Sequence, residues 1–183
     1  AGSAVFDSSP LKSSVEILGR PVMRLRVTID QPLGNLAIRL VDVHPNGACF
    51  RVSWGVINLA HRQGNETPEP VTPGVPIDVA VRLDECGYHF AVGHRIRLSI
   101  STAYWPMVMP CPYLVTAQIH TGKCTAFQLP VRQGGDVYEL TEPENLNPLP
   151  QYPLHRPAHY ERSVTRDRNT GQTQLQVIDD TGE

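Results

Sequence analysis

Alternation with a period of two dominates this chain and limits what it can fold into. In VMRLRVTID, Met23, Leu25, Val27 and Ile29 alternate with Arg24, Arg26, Thr28 and Asp30. Successive side chains of an extended strand point to opposite faces, so the stretch reads as a strand with one buried and one wet face. LAIRLVDV begins with Leu36, Ile38 and Leu40 inward, then changes phase to Val41 and Val43, which predicts a bulge near Leu40. FRVSWGV would turn Phe50, Val52, Trp54 and Val56 inward. VPIDVAVRL does the same with Val75, Ile77, Val79, Val81 and Leu83, and HRIRLSIST with Ile96, Leu98, Ile100 and Thr102. SVEIL, VTAQI and FQLPV supply shorter strands. Turn signals separate them at Pro45-Asn46-Gly47, Thr72-Pro73-Gly74, Glu85-Cys86-Gly87 and Thr121-Gly122-Lys123. Asn46-Gly47 is the strongest, because both residues tolerate positive φ at little cost, and Asp42 just before it is expected to brace the turn by accepting backbone N–H groups. No run of ten or more residues has helical spacing free of proline, and 17 prolines with 14 glycines suit many short connections. The expected class is all-β, an antiparallel sandwich of about eight strands.

The pattern divides the chain in three. A sandwich is expected over residues 1–141 and a proline-rich extended connector over 142–159, where Pro143, Pro148, Pro150, Pro153 and Pro157 interrupt a stretch without alternation. Over 160–183, SVTRDRNTGQTQLQVID reads as a β-hairpin turning around Asn169 and Gly171. A lone hairpin is marginal in water, so this one is expected to pack on the sandwich. At 183 residues the chain can bury a core without disulfides or a metal.

Charge and cysteine usage exclude several partners. The net charge is −2 and no Lys/Arg cluster would track phosphates, which argues against nucleic acid. No apolar run approaches the roughly 20 residues of a spanning helix, which argues against a membrane. Ala1–Pro10 lacks the basic start and apolar centre of a signal peptide. Cys49, Cys86, Cys111 and Cys124 form no C-x-x-C pair and suit inert thiols in a reduced compartment, although their even number leaves a disulfide open. The expected location is cytoplasmic.

Chemistry is hard to find. There is no G-x-S-x-G elbow, and Ser53 reads as a solvated strand serine. His155 and His159 are four apart, but Pro157 between them opposes the helix that would align two ligands. Cys86, His89 and His94 match no familiar zinc spacing, while His44, His61 and His120 look isolated. Asp84-Glu85 and Asp179-Asp180 are sequence neighbours whose side chains diverge in a strand, unsuited to acting on one bond. Calcium at Asp42 would need further oxygen ligands that the sequence does not cluster there. Gly134-Gly135 precedes no helix and signals no nucleotide. No catalytic residue, metal or cofactor is therefore expected in this chain.

An ordered set of stretches is more specific: FDSSPLKSSVEILGRPVMRLRVTID, LAIRLVDVHPNG, SWGVINLAHR, TPEPVTPGVP, GHRIRLSISTAYWP and TGKCTAFQLPV, spanning nearly all of residues 6–131. It resembles the C-terminal, non-catalytic β-sandwich of the X-prolyl dipeptidyl-peptidase and cocaine-esterase-like (CocE/NonD) hydrolases of bacteria. RDRNTGQTQLQVIDDTG resembles the distal hairpin of some members. The resemblance implies a jelly roll of the galactose-binding-like type. It also implies an N-terminal α/β-hydrolase domain in the same parent chain, holding the serine, acid and histidine of the triad. None of those three falls on a position here, so this chain alone is expected to be inactive. Two departures stand out: LGNLAIRL lacks the acid that many relatives carry before Arg39, and the chain stops at Glu183 where relatives with the hairpin continue. The expectation is a piece of a longer esterase or dipeptidyl-peptidase, cut within its last subdomain.

The resemblance gives meaning to STAYWPMVMPCPYLV, residues 101–115. Tyr104, Trp105, Pro106, Met107, Met109 and Tyr113 are expected to form an interface or ligand-facing loop. Aromatic residues anchor well-packed contacts, methionines adapt to irregular partners, and Pro106, Pro110 and Pro112 limit the freedom lost on docking. The occupant would be the hydrolase domain, with self-association left open. Two alternatives stand beside it: the loop caps its own sandwich, or Tyr104, Trp105 and Tyr113 are platforms of a carbohydrate-binding module.

Overall fold

Nested antiparallel pairing organises the chain. The computed structural model describes residues 2–135, 141–142 and 155–182. It falls into two compact units, residues 1–136 and 137–183, each of which is described by itself. The first carries ten strands: β1 (Ala4–Asp7), β2 (Val15–Gly19), β3 (Val22–Ile29), β4 (Asn35–Val43), β5 (Cys49–Asn58), β6 (Ile77–Arg82), β7 (Cys86–Phe90), β8 (Arg95–Ser101), β9 (Ala117–His120) and β10 (Ala126–Gln128). The second carries β11 (His159–Arg166) and β12 (Thr173–Asp180).

In the first unit β4 pairs with β5, β3 with β6, β2 with β7 and β1 with β8, all antiparallel. Such pairing is one long hairpin rolled upon itself, the topology of a jelly roll. β4 also pairs with β8, giving a sheet in the order β1-β8-β4-β5. A second sheet is built on β3, with β6 along one edge and β9 and β10 along the other. Leu36, Ile38, Leu40, Leu98 and Ile100 from the first sheet join a core with Met23, Leu25, Val27, Ile29, Val79 and Val81 from the second. Each fully buried side chain of this size contributes about 1.5–3 kcal/mol relative to exposure. Among the described residues the only helical turn is a 3-10 turn at Leu59–His61, capped by the Asn58 carboxamide, which accepts from the Ala60 N–H at 3.0 Å. The all-β expectation therefore holds.

Two details depart from the sequence reading. Cys86–Phe90, anticipated to begin with a turn, is strand β7, whose Phe90 is fully buried. The register between β4 and β5 does slip at Leu40/Val41, but the extra residue is Val52 on β5, since Leu40 faces Ser53 and Val41 faces Arg51. β4 therefore keeps its phase: Leu36, Ile38, Leu40 and Asp42 all project inward and are buried, while Val41 is half-buried. β5 is inverted relative to expectation, with Ser53 and Gly55 buried and Phe50 exposed.

The hairpin forms where anticipated, in unbroken register from His159↔Asp180 to Arg166↔Thr173. Its turn is set by Asp167, whose carboxylate accepts the Asn169 N–H at 2.8 Å, and by Gly171 at φ +71°. Most of the connector expected over 142–159 lies outside the described residues.

Candidate functional site

The apolar loop leaves β8 at Ser101 and returns to the second sheet at Ala117. Its far end is pinned: the Asp30 carboxylate accepts the Thr116 N–H at 2.8 Å, and the Cys111 thiol donates to the Leu33 carbonyl at 3.5 Å. That backbone hydrogen bond from Thr116 holds the Asp30 carboxyl below the usual carboxylate range. Near the start, the Val108 N–H donates to the Tyr104 carbonyl at 2.8 Å and closes a turn containing a cis Trp105–Pro106 bond.

Tyr104 and its neighbours behave differently. Tyr104 lies half-buried against the β1-β8-β4-β5 sheet, where its ring meets Trp54 edge-on at 5.4 Å and takes the Arg39 guanidinium 4.8 Å from its centroid. Arg51 donates to its hydroxyl. Trp105, Met107 and Met109 turn away and remain 67%, 53% and 75% exposed; Pro106 and Tyr113 are exposed too. Self-capping thus describes Tyr104 and Val115, whereas Trp105, Met107, Met109 and Tyr113 stay largely exposed. Large exposed apolar surface of this kind marks contact sites.

Beneath Tyr104 lies Arg39, which register places between Ser99 on β8 and Trp54 on β5. Its guanidinium donates to the Ser3, Ser99 and Ser101 hydroxyls at 2.8, 2.9 and 3.1 Å, and its Nε is buried without a partner among the described residues. The floor of the loop is thus polar and fixed, while its rim is apolar.

A second cluster lies at the opposite end of β4. Asp42 is 1% exposed and its carboxylate accepts the Tyr88 hydroxyl at 2.9 Å. His94 Nδ1 stands 2.9 Å from each carboxylate oxygen, and His44 Nε2 stands 3.5 Å from one of them. The two imidazole rings lie 4.3 Å apart. Desolvation first, then the hydrogen bond to Asp42 and its charge, push the Tyr88 hydroxyl up to about 12.

This corrects the turn-bracing role expected of Asp42. Its partners are side chains, because it is in phase with Leu36, Ile38 and Leu40 on the buried face of β4 and points away from the turn backbone. The turn itself is held by Asn46, whose carboxamide accepts the Ala48 N–H at 3.0 Å, and by Gly47 at φ +86°, whose N–H donates to the His44 carbonyl at 2.9 Å.

The remaining candidates stay apart. Ser53 is buried, not solvated as expected, because the Val52 bulge turns it inward, and its hydroxyl donates to the Asp84 carbonyl at 2.7 Å. His89 meets Glu16 at 3.4 Å instead of joining His94 or Cys86. Glu85 pairs with Arg20, and Asp180 with Arg156. All four cysteines are free thiols. Sequence reasoning passed over Arg39 and Tyr88 and set His44 and His94 aside as isolated or wrongly spaced; the available signal was the shared parity of Asp42 with Leu36, Ile38 and Leu40.

Known proteins share this architecture. Residues 1–136 match the family described as the X-Pro dipeptidyl-peptidase C-terminal non-catalytic domain. The cocaine esterase of Rhodococcus sp. (strain MB1 Bresler) is 26% identical over 101 residues, covering 55% of this chain and 18% of that enzyme. Among solved structures, an α-amino acid ester hydrolase superposes with a TM-score of 0.67 at 21% identity, over 71% of this chain and 25% of the other. An aminopeptidase from a marine sediment Thaumarchaeota archaeon gives 0.67 at 18% identity, over 72% and 26%. These two likenesses establish the shared fold. The match spans only 18% of the length of the curated relative.

Proposed function

Because the chain belongs to the X-Pro dipeptidyl-peptidase C-terminal non-catalytic domain family, we propose that it serves as the accessory sandwich of an α/β serine hydrolase acting on esters or X-Pro peptide bonds. Its role is to buttress the catalytic domain and shape the entrance to the active site. The observation that carries this reading is the loop with a fixed base and an uncovered rim, where Trp105, Met107 and Met109 stay exposed while Tyr104, Asp30 and Cys111 hold the backbone. A preorganised apolar surface loses little entropy on docking, and a catalytic domain is the partner the family supplies.

The test has two arms. The 183-residue chain, assayed on aryl esters and X-Pro anilides, gives no turnover above background. In the parent hydrolase, Trp105→Ser with Met109→Ser lowers the unfolding temperature and kcat/KM together. A rate in the isolated chain that one serine substitution abolishes, or a parent enzyme indifferent to the double substitution, would overturn the proposal.

A further inference from the structure

Asp42, His44 and His94 bring one carboxylate and two imidazoles to a single point, with all three ligand atoms within 4.8 Å of one another. Among the described residues no other His, Cys, Asp or Glu group of three does so. We propose that they form a site for one divalent transition-metal ion of the zinc class. Strand geometry assembles it: Asp42 and His44 are two residues apart and share a face, and the β4–β8 ladder ends at Val43↔Arg95, which sets His94 beside His44.

The His44 distance suits a shared ion better than a hydrogen bond, whereas His94 stands at hydrogen-bond distance. Zinc binds histidine nitrogen and carboxylate oxygen at about 2.0–2.2 Å, so two ligands of one tetrahedral ion stand roughly 3.4 Å apart. His44 Nε2 lies 3.5 Å from the carboxylate, beyond a normal hydrogen bond but suited to a shared ion. His94 Nδ1, at 2.9 Å, needs to withdraw by only a few tenths of an ångström. The Tyr88 hydroxyl already donates to the same carboxylate and orients it, as supporting hydrogen bonds do around metal ligands. Mixed imidazole and carboxylate ligation selects zinc, nickel or copper over calcium or magnesium. The His44 side chain is 40% exposed, which leaves the ion an entry path from solvent.

Zinc titration of the tag-free 183-residue chain by calorimetry near neutral pH tests the site. One equivalent is expected to bind, and His44→Ala should weaken it by at least about tenfold. His155→Ala with His159→Ala, two histidines four residues apart, should leave binding unchanged. Because His44 is partly exposed, its variant should fold, which circular dichroism checks. Side-chain ¹⁵N resonances of His44 and His94 should shift on zinc addition. No binding, binding indifferent to His44→Ala, or binding lost in the His155/His159 variant would each overturn the proposal.

Discussion

Replacing Asp42 with alanine removes the one acceptor shared by Tyr88 and His94. Each donor left unsatisfied in a buried place costs about 1–3 kcal/mol. His94 keeps a side chain 16% exposed, so water partly compensates it, and loss of the buried charge removes some desolvation penalty. The expected net destabilisation is about 2–4 kcal/mol for Asp42→Ala, and about half that for Asp42→Asn, which keeps one acceptor. Urea unfolding followed by tryptophan fluorescence is the assay. Trp54 and Trp105 both lie in the first unit, so the signal reports on the sandwich. A chelator should be present, because a bound ion would add its own stabilisation. With a slope near ~2 kcal/mol per molar urea, the midpoint should fall by about 1–2 M. A shift below about 0.3 M for Asp42→Ala, or any increase, would refute the reasoning that this carboxylate satisfies buried donors.

A Cβ on Gly55 would stand 2.5 Å from the Arg82 carbonyl oxygen and 3.0 Å from the Leu83 Cα, both backbone, so Gly55→Ala should cost about 3 kcal/mol in the same urea assay. Gly122→Ala, with open space but φ +106°, should cost only about 1 kcal/mol. Tyr88 is raised from 10.0 to about 12 in the folded chain, so the neutral phenol is favoured there. Its contribution to stability is complete below pH 10 and is lost as pH rises toward 12. Ultraviolet titration, again with chelator present, should show a late-ionising phenol step that Tyr88→Phe removes.

Alternation, turn chemistry and the absence of helical spacing were legible in the sequence because each is a local property of neighbouring side chains. They yielded the all-β class, the Asn46-Gly47 turn and the hairpin around Gly171. The placement of the bulge was not legible, since either strand of a pair can hold the extra residue and Val41 and Val43 mimic a change of phase. Only pairing with β5 assigned it to Val52, which kept Asp42 inward and buried Ser53. The meeting of Asp42 with Tyr88 and His94, 46 and 52 residues away, is likewise tertiary. Strand pairing across such distances depends on which apolar faces close upon one another, and no short stretch of sequence carries that choice.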